Sequence, residues 1–172
     1  KNEIDSILVA VNNAISGYEP HSLVSYFNKS TSNTVRFPEG DTTNGLLVHF
    51  FKNLEVGYQT YKASDGYFDP TVMKLVNYWG FGYSGRTKID QPDSTQINRL
   101  IQSTGMDKVQ FTFDEKSRNY TLFKKDSTIE LDFGGIGQGY GADIIAEFLS
   151  QKGYTNFLVE LGGELVAKGL KP

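Results

Sequence analysis

The 172-residue sequence contains no cysteine and only two histidines, His21 and His49. The lack of cysteine excludes disulfide bonds, zinc–thiolate centres and a cysteine nucleophile, and two histidines disfavour a multi-histidine metal site. No apolar run approaches the roughly 20 residues that a membrane-spanning helix requires. No secretory signal peptide is recognisable, but the chain begins at Lys1 rather than at Met. The composition therefore leaves the cellular compartment open.

The chain also carries little excess charge of either sign. The formal net charge is −3, which argues against a nucleic-acid-binding protein, because such proteins usually carry a basic patch. With 38% hydrophobic and 22% charged residues, the composition is that of a globular domain. We expect residues 1–172 to form one domain, because a chain of this length can bury about 70% of the surface that its unfolded form exposes.

The apolar spacing changes from helical to strand-like along the chain. Helices are predicted over residues 4–15, 22–27, from Thr42 or Thr43 to Gly66, 69–79, 94–104 and 140–152. Ser22 is expected to cap the helix 22–27. Strands are predicted over residues 109–113, 120–123, 129–133, 157–161 and 165–167, with a polar turn at 115–119. Helices followed by strands indicate an α+β fold.

A glycine-rich loop, GGIGQG at residues 134–139, separates the predicted strand 129–133 from the helix that follows. Such a loop can bind phosphate, because the first backbone N–H groups of a helix are unpaired and glycine lets the backbone approach closely. A Walker loop is excluded, since no Gly-Lys-Ser/Thr ends the segment. A dinucleotide fingerprint fits loosely, as Gly137, Gly139 and Ala142 with Glu160 as the ribose acid. A tight strand-to-helix turn without a ligand is the remaining alternative.

Two carboxylates flank this loop. Asp132 ends the predicted strand, where it and exposed carbonyl groups could hold a hard cation such as Mg²⁺ beside substrate phosphates. Asp143 is expected in the first turn of the helix, where it would complement the helix dipole.

Aromatic residues lie near several of the predicted loops. Tyr18 is either a ring that stacks on a planar ligand or an exposed loop residue. Asp69 is predicted to cap the helix that follows it, and Phe68 and Trp79 are expected to be core residues. His49 is predicted to face solvent, because it lies opposite the apolar stripe of its helix.

Taken in order, these segments resemble the ApbE family of flavin transferases. Four stretches carry the resemblance: ISGY at 15–18 with 22–28, GYFDPTV at 66–72 continuing through 75–82, LDFGGIGQGY at 131–140 continuing to Asp143, and LVELGGE at 158–164. The resemblance implies an α+β domain related to the T-fold, with a mixed or antiparallel sheet and packed helices.

The family's activity is the Mg²⁺-dependent transfer of FMN from FAD to a Thr or Ser hydroxyl of an acceptor flavoprotein. By resemblance, the FAD-binding positions are Tyr18, Tyr67, Phe68, Asp69, Asp132 and Gln138, and the backbone carbonyl of Gly135 is a Mg²⁺ ligand. No catalytic residue is assigned. The resemblance also implies a parent lipoprotein anchored at the periplasmic face of a membrane, with the present chain itself soluble.

The sequence departs from the family pattern in two ways. Many members have Lys where this chain has Gln138, so a direct cationic contact to the dinucleotide is missing. The family pattern also continues beyond Glu164 with a second part, which supplies a histidine and further acidic and threonine ligands. We therefore expect a fragment lacking the C-terminal part, with weak or no turnover by itself. Open sheet edges in such a fragment could be closed by a homodimer.

Two other functions remain open at this point. One is a non-catalytic FAD-binding domain, which would bind flavin without transferring it. The other is a nucleotide-dependent oxidoreductase built on the glycine loop, for which no hydride acceptor or proton-transfer residue can be named.

Overall fold

The computed structural model describes residues 2–37, 45–83, 89, 91–114 and 119–170, without the side chains of 113, 114 and 119. The helices are α1 (Asn2–Ile15), α2 (Leu23–Lys29), α3 (Leu46–Ala63), α4 (Met73–Tyr78), α5 (Ser94–Gln102) and α6 (Gly137–Gln151). The strands are β1 (Thr34–Arg36), β2 (Val109–Asp114), β3 (Asn119–Lys124), β4 (Phe157–Leu161) and β5 (Glu164–Lys168). In this described part, no helix is both long and apolar enough to cross a membrane.

The strands form two antiparallel sheets. One sheet has the order β1-β3-β2, and the other is the hairpin β4-β5, in which Phe157 pairs with Lys168 and Leu161 with Glu164. The predicted α+β fold is confirmed. Strand β1 was not predicted, because its three residues are too few to show a period, and its central Val35 is its one buried residue.

Two hydrophobic clusters hold these elements together. The larger one joins α1, α2, α3 and the three-stranded sheet around fully buried rings such as Phe27 and Phe50. The smaller one lies between α6 and the β4-β5 hairpin around Ala142 and Val159. Glycine makes this second contact close, since a Cβ on Gly141 would lie 2.7 Å from Leu161 Cδ2. The hairpin therefore sits directly on α6.

Several helix ends differ from the prediction. Ser22 caps α2 as predicted, because its hydroxyl accepts a hydrogen bond from Ser25 N at 3.1 Å. The predicted start of this helix at Thr42 or Thr43 lies outside the described residues. Within the described residues, α3 begins at Leu46. Of the turn predicted at 115–119, residues 115–118 also lie outside them, and Asn119 begins β3.

The helix predicted from Asp69 begins four residues later, at Met73. Asp69 Oδ1 accepts hydrogen bonds from Thr71 N at 2.8 Å and Thr71 Oγ1 at 2.6 Å. These bonds close a turn instead of capping a helix. Val72 then forms a parallel bridge with Glu130, and α4 begins at the next residue.

The predicted strand 129–133 is absent from the sheets. That segment is fixed instead by separate contacts, since Asn28 Nδ2 donates to Leu131 O at 2.8 Å and Asn28 Oδ1 accepts from Leu131 N at 2.7 Å. Asp132 N donates to Pro70 O at 2.7 Å. The apolar run that indicated a strand reflects the burial of Ile129, Leu131 and Phe133 in the core.

Lys124 is a buried cation that links two parts of this arrangement. Its Nζ donates to the carbonyl oxygens of Phe27 (2.9 Å), Ser30 (2.9 Å), Ser127 (3.3 Å) and Ile129 (3.1 Å). Its side chain is 0% exposed, and the ammonium lies 4.2 Å from the centre of the Phe27 ring. One ammonium thus joins the end of α2 to the turn that leads into Ile129.

Replacing this ammonium should destabilise the fold. Lys124→Met keeps an apolar stem but leaves several buried carbonyl groups without a donor, so we expect the free energy of unfolding to fall by about 3 kcal/mol or more. Urea unfolding measures this loss, with Lys125→Met as the control because Lys125 is exposed. A Lys124→Met protein as stable as the control would contradict this role.

Burial also gives Lys124 a pH signature. Desolvation lowers the pKa of Lys124 from its usual 10.5 to about 8, with Lys74 adding to the fall and Glu130 and Asp126 opposing it. Between these two pKa values the unfolded chain holds a proton that the folded chain has released, so stability gains from this group as pH rises through that window. Unfolding measured across this range should show a gain in the wild type that Lys124→Met lacks. If the stability of the two proteins changed with pH in parallel across this range, the lowered pKa of Lys124 would be refuted.

Candidate functional site

A cavity lies where α1, the segment 132–134, the start of α6 and the end of β4 meet. Its volume is about 440 Å³. Its lining is apolar on the α1 side and polar or glycine-rich on the other, and comprises Leu8, Val11, Asn12, Ile15, Ser16, Gly17, Asp132, Phe133, Gly134, Gly137, Gln138, Leu161 and Gly162. Its size and mixed lining suit an organic ligand that carries polar groups.

The loop after α1 is held against this cavity by hydroxyl groups of α2. Ser22 Oγ donates to Ser16 O at 2.7 Å, and Ser25 Oγ donates to Glu19 O at 2.7 Å. Gly17 packs beneath Met73 and Tyr83, and a Cβ there would lie 3.7 Å from Met73 Cε. The loop that contains Gly17 is therefore held by hydroxyl groups at the start of α2 and lies beside Met73 of α4.

Asp132 is the only acidic residue that the described residues contribute to this lining. Its Oδ1 accepts a hydrogen bond from Gly134 N at 2.8 Å, which closes a turn at the start of the glycine loop. The Asn28 contacts to Leu131 and the Pro70 contact to Asp132 fix the backbone on which this carboxylate stands. The cavity thus has a negative group in a fixed position, next to the loop predicted to bind phosphate.

The glycine loop leads into α6 earlier than predicted, because the helix begins at Gly137 and not at residue 140. Gly137 N donates to Phe133 O at 2.7 Å, and Tyr140 N donates to Ile136 O at 3.0 Å. Between them, the N–H groups of Gln138 and Gly139 donate to no carbonyl among the described residues, as is usual in the first turn of a helix. Unpaired N–H groups beside a cavity suit a phosphate oxygen.

Gln138 is exposed and reaches the turn of the β4-β5 hairpin. A Cβ on Gly162 would lie 2.7 Å from Gln138 Nε2, and Gly162 has a φ of +60°. Glycine at this position therefore leaves room for the amide of Gln138 at the cavity wall.

The other residues predicted to bind FAD lie outside the cavity lining. Tyr18 follows Gly17, is 69% exposed and donates its hydroxyl to Phe81 O at 2.8 Å. Tyr67 is 97% exposed, and Asp69 is engaged in its turn with Thr71. Phe68 is half-buried beneath the glycine loop, since a Cβ on Gly135 would lie 3.1 Å from Phe68 Cε2.

The described residues around the glycine loop offer only a few oxygen ligands to a magnesium ion. No described group donates a hydrogen bond to the Gly135 carbonyl, and Asp132 supplies a carboxylate two residues before Gly134. Both are ligands of the type that Mg²⁺ prefers. Within the described residues, no group of three or more acidic or histidine side chains could hold a metal, so these donors fit part of a magnesium site.

Several residues were assigned wrongly from the sequence. His49 does not face solvent: it is half-buried, and its Nδ1 lies 2.7 Å from Tyr140 Oη, because α6 covers that side of α3. Asp143 lies in the second turn of α6 and not in its first, because the helix begins at Gly137. Trp79 is 43% exposed and is not a core residue.

The dinucleotide-binding unit is also not formed. Such a unit needs a strand before the glycine loop that lies parallel to the strand after it. Residues 129–133 form no such strand, and β4, which carries the exposed Glu160, pairs antiparallel with β5. This topology removes the support for a nucleotide-dependent oxidoreductase.

Sequence reasoning missed the α1 side of the cavity. The apolar spacing of residues 4–15 predicted a helix but assigned it no part in a site, whereas Leu8, Val11 and Ile15 line the cavity. The signal that could have revealed this is Asn12, an exposed polar residue directly beside Val11 and one turn before Ser16.

Comparisons with known proteins agree with this geometry. The sequence pattern of the ApbE family matches residues 1–172. An FAD:protein FMN transferase of Haemophilus influenzae is 35% identical over 167 residues, which are 97% of this chain and 45% of that protein. One from Vibrio cholerae is 32% identical over 99% of this chain and 46% of its own length. The chain thus spans about half the length of the curated relatives it matches.

Solved structures show the same relation. The apo form of the flavinyl transferase ApbE of Pseudomonas stutzeri superposes with a TM-score of 0.81 and 31% identity, over 99% of this chain and 52% of that one. The flavin transferase ApbE of Vibrio cholerae gives a TM-score of 0.78 and 30% identity, over 99% of this chain and 50% of its own. The resemblance stated from four short motifs is confirmed over the whole chain, and the protein belongs to the ApbE family.

Proposed function

We propose that this chain supplies the FAD-binding part of an FAD:protein FMN transferase. The observation that carries the proposal is the cavity in which Asp132, the start of α6 and Gln138 face the loop 16–17. Relatives that cover nearly all of the chain bear this activity in their names. In this proposal the cavity holds FAD, with its pyrophosphate at the free N–H groups of the first turn of α6.

The reaction is a phosphoryl transfer from FAD to a Thr or Ser hydroxyl of an acceptor flavoprotein. The hydroxyl oxygen forms a bond to the phosphorus of the FMN half, the pyrophosphate P–O bond breaks, and AMP leaves with the bridging oxygen. The hydroxyl proton passes to a base, a role that no described residue is assigned. Such transfers depend mainly on positioning and on stabilising the charge of the pyrophosphate.

In this proposal, the residues of the cavity have different roles. The free N–H group of Gln138 binds a phosphate oxygen, and Asp132 orients the glycine loop through Gly134. The Gly135 carbonyl and Asp132 hold Mg²⁺, which when bound neutralises pyrophosphate charge. Tyr18, Tyr67, Phe68 and Asp69 contact the parts of FAD that extend beyond the cavity, since none of them lines it.

The cellular setting is part of the same proposal. The parent protein is a periplasmic lipoprotein, and its partner is a flavoprotein that becomes covalently flavinylated. A homodimer remains an expectation for the isolated chain, since the outer face of the β4-β5 hairpin exposes Leu158 (66%) and Leu165 (62%).

Asp132→Asn tests the cavity. An amide oxygen can still accept the Gly134 N–H bond, so stability should be nearly unchanged, while loss of the charge should abolish the tightening of FAD binding by Mg²⁺. FAD titration by flavin fluorescence, with and without Mg²⁺, measures this. We expect an affinity loss of about tenfold or more in the presence of Mg²⁺.

The matched control is Asp126→Asn. Asp126 forms the same kind of turn, accepting hydrogen bonds from Thr128 N and Thr128 Oγ1 at 2.8 Å each, but it does not line the cavity. Equal effects of the two substitutions, or FAD binding that ignores Mg²⁺ in the wild type, would overturn the assignment. Flavin binding without transfer, by a full-length relative that carries this sequence, would instead indicate a non-catalytic FAD-binding domain.

Gly162→Ala tests the contribution of Gln138. A Cβ at Gly162 must displace Gln138 Nε2, whereas at Gly163, with a φ of +100°, no atom lies within 4 Å of a Cβ. Both substitutions strain the hairpin turn by about 1 kcal/mol or more, but only Gly162→Ala should weaken FAD binding, by about threefold to tenfold. Fluorescence titration of both variants with FAD measures this difference. An equal loss of FAD affinity in both would assign the effect to backbone strain.

A further inference from the structure

Asn12 interrupts an apolar row on the side of α1 that borders the cavity beside the glycine loop (the first cavity). Ile4, Leu8 and Asn12 follow one another at intervals of four residues, so they lie along one side of the helix. Ile4 and Leu8 pack against the hydrophobic cluster between α6 and the β4-β5 hairpin, and Leu8 also lines the first cavity together with Asn12. An amide therefore stands where an apolar side chain would continue the packing.

The amide of Asn12 is available to a ligand. Its side chain is exposed, lines the first cavity and makes no hydrogen bond to another described residue. Two other polar side chains of the same lining are engaged within the protein, since Ser16 Oγ accepts from Tyr18 N at 3.3 Å and Asp132 Oδ1 accepts from Gly134 N at 2.8 Å. Asn12 thus offers both its donor and its acceptor to the cavity.

A second cavity, of about 280 Å³ between α3 and the start of α6, has no exposed amide in its lining. Its Asn53 is 1% exposed, and Asn53 Nδ2 donates to His49 O at 2.9 Å. Of the two cavities, the first is therefore the one in which an asparagine side chain can reach a ligand.

An amide recognises a particular kind of ring edge. Its N–H donor and its carbonyl acceptor lie side by side, so it forms a pair of hydrogen bonds to a ring on which an acceptor is next to a donor. Adenine and isoalloxazine, the two ring systems of FAD, both have such an edge. Val11 and Ile15 line the cavity on the same helix as Asn12, where their apolar side chains suit the face of a flat ring.

We propose that Asn12 is a specificity-determining residue of the first cavity. Its amide bonds to the polar edge of the FAD ring that lies against α1, while a phosphate oxygen reaches the free N–H group of Gln138 on the other side of the cavity. This inference rests on the proposed FAD site and adds to it the residue that selects the ring. The ring comes from either the adenine half or the flavin half of FAD, and the second experiment below distinguishes the two.

The first experiment compares Asn12→Leu with Asn13→Leu by FAD titration and flavin fluorescence. Leucine is close to asparagine in size but has neither donor nor acceptor, so Asn12→Leu should weaken FAD binding by about tenfold. Asn13 is also exposed and follows directly in α1, but it does not line the cavity. Asn13→Leu should therefore leave the affinity within about twofold, although both variants gain similar helix propensity. Equal effects of the two substitutions would overturn the proposal.

The second experiment identifies the ring by displacing FAD with AMP or with FMN. AMP carries the adenine half and FMN the flavin half, so Asn12→Leu should weaken one of them by about tenfold and leave the other within about twofold. A loss confined to AMP assigns adenine to the cavity, and a loss confined to FMN assigns isoalloxazine. Equal losses for both would show a general disturbance of the cavity wall, and no loss for either would show that Asn12 reads no ring. Both of these results would overturn the proposal.

Failure of this inference is distinguishable from failure of the proposed function. If Asp132→Asn weakens FAD binding in the presence of Mg²⁺ and Asn12→Leu does not, the FAD site stands and the role of Asn12 is refuted. A wild-type chain that binds no FAD would overturn both.

Discussion

The hydrogen bonds of the buried Lys124 ammonium are the interaction on which the first cavity depends. The ammonium leaves solvent completely and replaces its water shell with carbonyl oxygens from two segments, the end of α2 and the turn before Ile129. Those two segments then meet again through Asn28, which bonds both backbone groups of Leu131. Asp132 follows directly, so the charged group of the first cavity is positioned by a chain of contacts that begins at Lys124.

This arrangement explains why residues 129–133 are ordered without belonging to a sheet. A strand would satisfy its backbone groups with neighbouring strands, but here an asparagine side chain, a lysine ammonium and the Pro70 carbonyl do so one group at a time. Separate contacts of this kind let the backbone turn at Gly134 directly after the buried Phe133.

The sequence predicted those features that depend on local chemistry. The Ser22 cap, the helices α1 and α5, the β4-β5 hairpin and the four family motifs all follow from neighbouring residues. What it could not predict depends on residues far apart in the chain. His49 looks solvent-exposed until α6 is known to pack against it, and the 129–133 segment looks like a strand until Asn28 is known to pair with Leu131. A sequence pattern indicates that a residue is buried, but it does not indicate which distant residue covers it.

The start of α6 shows how one short segment borders two chemically different cavities. Gly137 and Gln138 line the first, whereas Gly139 and Tyr140 line the second. Successive residues of a helix lie about 100° apart, so four adjacent positions necessarily face different directions. The first cavity offers the unpaired N–H donor of Gln138, whereas the second is lined by Val56, Ile136 and the exposed Asp143. Because the same turn forms a wall of both cavities, any ligand that moves the turn from one side changes the wall of the other.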